Sequence, residues 1–437
     1  MVRQRGLLLE IGEQVARTDV PELVQRLSDE GKVLFFRAVE GYACGLVANL
    51  VPSHEVFRAV FNTDNPYAYF LEGVKRAEKK VRLAERGVET IEVGDRDLLD
   101  FLPILKHYDG DSAPFITTGV VSSVDPETGV VGRGIHRMEY RGKNRMGVVL
   151  LNPPLTDIYA KYKARGERMP LTVTIGVDPV IFLSMALKVP PGVDKLELAG
   201  GLKGKGIPVI DSFDAAIDVP AGAEFYLEGR IDPDDLRQDG PLGEISGYYM
   251  TVQSSPTVVV HRISHRPSPI YHALLPTSAE GDTYLTFVSR AHVEERAKTL
   301  FPFISDIAFA PKTFGSSIIL SIKPVEQFKV RNLVLFLLAF PMIKKVVVVD
   351  EDVNPYDLRD VEWAVVTRCK ADRDMMVIPG LQGQPIDPTA EEGFVVTKVG
   401  INATVHGKHI DERARVSAGN PGEIERIMRS IGGAGCE

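Results

Sequence analysis

Cysteine is scarce: the 437 residues hold three, Cys44, Cys369 and Cys436, far apart and with no Cys-x-x-Cys pair. That excludes a disulfide framework and makes a cysteine-based zinc or redox motif an unsupported reading. Long apolar runs are missing too. The most apolar stretch, Leu333 to Val349, is interrupted by Pro341, Lys344 and Lys345 and is too short for a bilayer span. The N-terminal segment lacks the apolar core and small-residue cleavage site of a secretory signal. Basic excess is absent as well, because the net charge is −8, so nothing marks a nucleic-acid surface. No His-Glu-x-x-His occurs among the nine histidines, and no internal repeat or low-complexity tract is visible. What remains is an ordinary globular composition, 44% apolar and 25% charged. The expectation is a reduced, cytoplasmic, soluble protein of about three domains.

Three regions differ in texture. Residues 1–113 read as mixed helix and strand, an α/β unit. Asp19-Val20-Pro21-Glu22 and Ser53 look like helix starts, Val33 to Phe36 like a strand, and 72–87 like a charged helical face. Residues 114–300 are rich in Val, Thr, Gly and Pro with repeated turn signals, which predicts an antiparallel sheet or barrel interrupted by helices near 155–165 and 179–188. Residues 301–437 alternate short apolar runs (317–322, 346–349, 375–378) with helical stretches (326–340, 357–370), as βαβ layers do. A last helix is expected at about 411–431.

Two segments could carry chemistry. In Asp239-Gly-Pro-Leu-Gly-Glu244, two carboxylates flank a stretch that must turn, so both can converge on one site. Paired carboxylates repel when both are ionised, and one then holds a proton near neutral pH. The same composition also suits a solvated hairpin. In Gly132-Arg-Gly-Ile-His136-Arg137, an arginine follows a turn and could grip a carboxylate in bidentate fashion, or be an ordinary surface charge. Gly200-Gly-Leu-Lys-Gly-Lys-Gly206 does not match the phosphate-loop pattern and reads as a mobile hairpin.

Taken together, the chain resembles the UbiD family of reversible decarboxylases that use prenylated FMN. The resemblance is carried by Ile135-His136-Arg137, Ile175-Gly-Val-Asp-Pro179, Leu198-Ala-Gly200, Val219-Pro-Ala-Gly-Ala-Glu224 with Leu227-Glu-Gly229, and Asp239-Gly-Pro-Leu-Gly-Glu244 with Gly247-Tyr-Tyr249. Val348-Val-Asp350, Asp360-Val-Glu-Trp-Ala364 and Thr367-Arg368 extend it into the last third. It implies an N-terminal α/β domain, a central split β-barrel of flavin-reductase type that binds the cofactor, and a C-terminal α/β domain whose terminal helix serves oligomerisation. It also implies a homodimer or larger homo-oligomer, a flavin prenyltransferase as cofactor supplier, and a small carboxylic acid as substrate, with no nucleic-acid or membrane partner. Carried over by position, Glu244 is the proton donor, Arg137 steers the substrate carboxylate, and Asp239 tunes both. Ile135, His136 and Arg137 fall on the cofactor-binding motif.

The family usually holds the flavin phosphate through a divalent metal (manganese or magnesium), sometimes with potassium, on Asn, His and Glu. The corresponding positions here are Gly132, Pro154 or Leu155, and Lys195, so the usual ligands are absent. The expectation is no protein-bound metal and a direct Lys195–phosphate contact, with Asp194 or Glu197 as alternative ligands. Ile270-Tyr-His272, Phe287 to His292 and the segment after Pro276 are candidates for the substrate pocket. The resemblance implies a decarboxylase of an aromatic, heteroaromatic or α,β-unsaturated acid. The alternative is a non-catalytic flavin-binding or assembly subunit of such a complex.

Overall fold

In the computed structural model, which describes residues 2–84, 87–190, 192–214, 217–408, 413–414 and 419–432, four sheets form around the chain. Cys436 and parts of the tail lie outside the described residues. The first sheet opens with Leu8–Val15 parallel to Val33–Val39. Parallel neighbours need a crossover, and the helix Val20–Leu27 supplies it, burying Val20, Pro21 and Val24. Pro21 sits in its first turn as expected, but Asp19 makes no capping bond. Gly45–Ala48 adds antiparallel to Val33–Val39, and Ile270–Ala273, from far along the chain, completes the sheet beside it.

The second sheet has nine strands, each pair of neighbours antiparallel, and curls into a half-barrel. Its spine is the pair Phe225–Gly243 and Tyr249–His265. Register shifts after Glu228, Asp232, Arg237 and Asp239 bend these long strands, as bulges do. Glu89–Glu92 also joins this sheet, so the segment before residue 114 contributes to it. The alternation of Leu171, Val173 and Ile175 on one strand and Leu227 and Ile231 on its neighbour fills the inside of the curl.

Two expectations change. Residues after Gly73 do not continue the helix Pro66–Gly73; Val81–Arg82 instead pairs with Pro208–Asp211, and Lys80 turns in to ion pairs with Asp194 and Asp218. The glycine-rich segment is no hairpin. Gly200 and Gly201 lie inside the helix Lys195–Lys203, which closes at Gly204 with φ +64°. A Cβ on Gly201 would lie 1.5 Å from the Arg76 carbonyl oxygen, so glycine is needed for that close approach.

The last sheet runs Ile304–Phe309, Ser317–Ile322, Lys345–Asp350, Val395–Ala403, Met375–Gln382. Its three inner strands are parallel, and Val346 to Val349 is buried on both faces between helices Gln327–Leu338 and Leu358–Arg368. The helix Ala279–Leu300 joins this layer to the rest. Tyr284, Phe287 and Val288 belong to the core around the half-barrel, while Val293 and Ala297 belong to the C-terminal core. No helix among the described residues is long and apolar enough to cross a membrane.

Candidate active site

Asp239 sits in the long strand opposite Val252, and the register shifts before Leu242 pairs with Met250. A straight strand would send Asp239 and Glu244 to opposite faces, because their spacing is odd. The bulge and the turn that follows remove that alternation. Gly240 enters it at φ +90°, where a Cβ would meet the Met250 carbonyl oxygen at 2.7 Å. Glu244 then closes the turn, its N–H bonding to the Tyr248 carbonyl at 2.9 Å.

Arg137 joins the two acids. It lies between the strands Val131–Ile135 and Met138–Tyr140. Its Nε donates to Asp239 Oδ1 at 2.9 Å and its Nη1 to Glu244 Oε1 at 2.6 Å. Nη2 approaches Asp239 Oδ1 at 2.8 Å and donates to the Met250 carbonyl at 3.3 Å. One Nη1 hydrogen remains for a further acceptor. The environments of the acids differ. Asp239 is wholly buried, its Oδ2 has no partner, and the Glu244 side chain is 22% exposed. Burial pushes the Asp239 carboxyl up to about 6, with Arg137 opposing and Glu139 adding to the rise. Asp239, the inner acid, is thus the one that burial isolates from solvent. The solvated-hairpin reading of this segment does not hold for Asp239, whose turn is packed.

A loop that the sequence did not single out holds the turn in place. Asp111 accepts from Gly243 N through Oδ1 at 2.8 Å, and from His107 N and Tyr108 N through Oδ2 at 3.0 and 2.9 Å. Ser112 N donates to the Pro241 carbonyl at 2.8 Å, and Gly110 N to the Tyr249 hydroxyl at 3.0 Å. The Tyr108 ring lies so close to Gly243 that a Cβ there would be 2.3 Å from it. Tyr108-Asp-Gly-Asp111-Ser112 reads in sequence as any polar loop; only the burial of Asp111 distinguishes it.

The other expected residues form a neighbouring group. Ile135 packs against the apolar core beside the half-barrel. The His136 Nδ1 lies 2.7 Å from the Val149 carbonyl, and burial, then the charge of Lys195, lowers its pKa. Lys195 opens its helix almost buried. Its Nζ donates to the Met185 carbonyl at 2.7 Å, and it makes no ion pair among the described residues. Burial alone pushes it down to about 8. A buried ammonium without a carboxylate suits an anionic group such as a phosphate.

The metal positions do not suit a cation. The space a side chain at Gly132 would take is filled by Ile158 and Pro154. Asp194 is already engaged by Lys80, by Arg133 and by the N–H of Leu196. The grouping of metal-ligand type that occurs among the described residues is elsewhere: Asp214, Glu228 and His261. There Arg262 donates to Asp214 at 2.7 Å and Glu228 at 3.0 Å, so the acids already have their cation.

Comparison with known proteins bears on the family and the fold. Residues 79–279 match the model of the 3-octaprenyl-4-hydroxybenzoate carboxy-lyase Rift-related domain, and 282–403 that of the corresponding C-terminal domain. An anhydromevalonate phosphate decarboxylase from Methanosarcina mazei is 31% identical over 92% of this chain and 94% of its own length. One from Methanothermobacter thermautotrophicus is 32% identical over 76% of this chain and 78% of its own. Among solved structures, the UbiD-class enzyme HmfF from Pelotomaculum thermopropionicum in complex with FMN is 28% identical, with a TM-score of 0.89 over 97% of this chain and 96% of that one. An evolved dimeric form of HmfF in complex with prenylated FMN gives 0.86 at 27% identity and the same coverage.

Proposed function

The chain belongs to the UbiD family of carboxy-lyases, and from that premise we propose that it reversibly and non-oxidatively decarboxylates an aromatic, heteroaromatic or α,β-unsaturated acid with prenylated FMN. The observation that supports this most is the single guanidinium of Arg137 bridging a buried and a half-open carboxylate. Loss of CO₂ from an sp² carbon leaves a carbanion that no side chain can delocalise, and prenylated FMN supplies that electron sink when bound. The chain's own residues do the rest. The free Nη1 hydrogen of Arg137 takes a substrate carboxylate oxygen. Asp239 holds the guanidinium through Nε and Nη2. Glu244, at the open side, delivers the proton that replaces CO₂ and regains one from solvent.

Ile135, His136, Arg137 and Lys195 are proposed to hold the cofactor, with the Lys195 ammonium meeting its phosphate. No metal or potassium step is proposed: Gly132, Pro154, Leu155 and Lys195 do not match the usual Asn, His and Glu ligands, and Asp194 is already paired with Lys80 and Arg133. A non-catalytic subunit would have no need of the intact Arg137, Asp239 and Glu244, and their convergence favours the enzyme. The named relatives make a phosphorylated α,β-unsaturated acid, anhydromevalonate phosphate, the first substrate to try. We also propose a homo-oligomer, with the helix Pro421–Gly432 offering Ile424, Ile427 and Met428 to solvent as the contact, and a flavin prenyltransferase as cofactor supplier.

The test is Glu244→Gln on protein co-produced with a flavin prenyltransferase. Exchange of the product's hydrogen with solvent deuterium is expected to fall at least 100-fold, with the cofactor still bound by mass and absorption. Exchange at the wild-type rate rejects the donor role.

A further inference from the structure

Two residues beyond Arg137, Glu139 begins a second arginine–carboxylate pair, with Arg141. Glu139 lies on the strand Met138–Tyr140 and Arg141 just after it, and their side chains are 8% and 4% exposed. Arg141 Nε donates to Glu139 Oε2 at 3.2 Å. A buried ion pair adds little net stability over an apolar pair of the same volume, so its effect lies in what its other hydrogen bonds hold.

Those bonds close on the backbone around Asp239. Glu139 Oε1 accepts from the Ser112 hydroxyl and, at 3.1 Å, from Gly240 N, in the peptide that follows Asp239. Arg141 Nη2 donates to the Gln238 carbonyl at 3.3 Å, in the peptide that precedes it. The guanidinium is anchored in turn on the neighbouring strand. Its Nη1 donates to Thr257 Oγ1 at 2.8 Å and to the Ser255 carbonyl at 3.2 Å, and its Nη2 to Ser255 Oγ at 2.7 Å. To reach them it crosses Gly147, which faces Glu139 in one strand pair and Thr257 in the next. A Cβ on Gly147 would lie 2.6 Å from Arg141 Cζ, so the bare backbone leaves the path open.

The register of the long strand pair breaks at this place: Arg237 faces Ser255, but Asp239 faces Val252. A bulge interrupts the ladder that otherwise fixes which way each residue points. Here the ion pair holds the peptides on both sides of the break. Those peptides aim the Asp239 carboxylate, which in turn holds Arg137 through Nε and Nη2. The charged groups around Asp239 are Arg137, Glu139 and Arg141, with Glu244 across Arg137 and Asp111 on the loop against the turn. Of the pair, Glu139 acts on the Asp239 carboxyl more strongly than Arg141 and favours its proton.

We propose that Glu139 and Arg141 are positioning residues for the decarboxylation: as one ion pair they clamp the backbone on both sides of Asp239 and set the direction in which it meets Arg137. The assignment rests on the function proposed above and adds to it two residues that act through Asp239.

The test uses the full-length holoenzyme and two readouts. The first needs no substrate: the infrared band of the protonated carboxyl that Asp239→Asn abolishes is followed with pH. Its midpoint is expected at about 6 in the wild type. Glu139→Gln keeps an oxygen for the Gly240 N–H but removes the charge, so the midpoint should fall by about half a pH unit or more. The second readout is decarboxylation of anhydromevalonate phosphate. Arg141→Met is expected to lower kcat by about tenfold or more. Adding Glu139→Gln to it should cost little more, because the two side chains act as a unit. Gly147→Ala keeps both charges and pushes aside only the mobile end of Arg141, so kcat should fall while the melting temperature stays near that of the wild type. It decides in place of Arg141→Met if that variant does not fold. A midpoint that Glu139→Gln does not lower overturns the proposal, and so does a kcat within about twofold of the wild type in the deciding arginine variant. A wild type inactive on this acid rejects that substrate, while the infrared midpoint still decides the clamp.

Discussion

Asp239 has no outlet for its second oxygen, and its carboxyl is held up at about 6 against an ordinary 3.8. An acid whose folded pKa is raised binds more protons folded than unfolded between these two values. Its favourable contribution is therefore complete below about 4 and lost as pH rises through 6, at most about 3 kcal/mol. Asp239→Asn is expected to remove that loss. Its melting temperature should exceed that of the wild type at pH 7.5 and match it near pH 4, while activity drops because Arg137 is less firmly held. Parallel melting curves at both pH values would show that Asp239 costs nothing. Lys195 makes the opposite kind of prediction. Its ammonium is depressed to about 8 by burial alone, so an anion beside it would restore the charge. Lys195→Met should lower flavin retention after gel filtration at least tenfold, and retention in the wild type should weaken as pH rises past 8. Full occupancy in Lys195→Met would reject the phosphate contact.

At the scale of elements, the catalytic turn depends on a loop more than a hundred residues earlier in the chain. Gly243→Ala would drive a methyl into the Tyr108 ring, at a cost of about 1–3 kcal/mol. Because Glu244 is the next residue, activity should fall more than stability: at least tenfold in kcat with a melting temperature within a few degrees. Gly222→Ala, where nothing lies within 4 Å, is the control. If both variants behave alike, the Tyr108 contact does not position Glu244. This dependence also marks what the sequence could show. The acid–turn–acid block and the arginine were legible because their residue types are unusual together. The strand-rich middle and the valine run Val346 to Val349 were legible through composition and period. The role of Asp111 was not, since its three N–H partners come from backbone that any residue carries. Nor were the helical glycines Gly200 and Gly201, whose reason is a neighbouring carbonyl and not a local turn. Asp214, Glu228 and His261 likewise come together only across strands.

For the whole molecule, the question is what makes the C-terminal sheet and the half-barrel one folding unit. Arg290, on the shared helix, answers it in part. Its guanidinium lies 4.0 Å from the centre of the Tyr67 ring, in the first third of the chain. It also donates to Glu294 at 2.7 Å, to the Tyr356 hydroxyl at 3.0 Å and to Asp306 at 3.2 Å, the last two in the C-terminal layer. Behind Tyr67, burial, with Arg290 adding to it, pushes His54 down to about 4, so the ring that meets the Tyr67 hydroxyl is neutral. Removing the guanidinium leaves Tyr67 without its cap and Asp306 without this partner, while Glu294 keeps Lys298, a loss of about 1–3 kcal/mol. Arg290→Ala should therefore split a single calorimetric transition in two, the C-terminal layer melting first. Arg290→Lys should restore only part, because an ammonium cannot stack on Tyr67 and bond three ways at once. One unsplit transition at the wild-type temperature would mean that the helix core, Phe287 on one side and Val293 and Ala297 on the other, carries the coupling by packing alone.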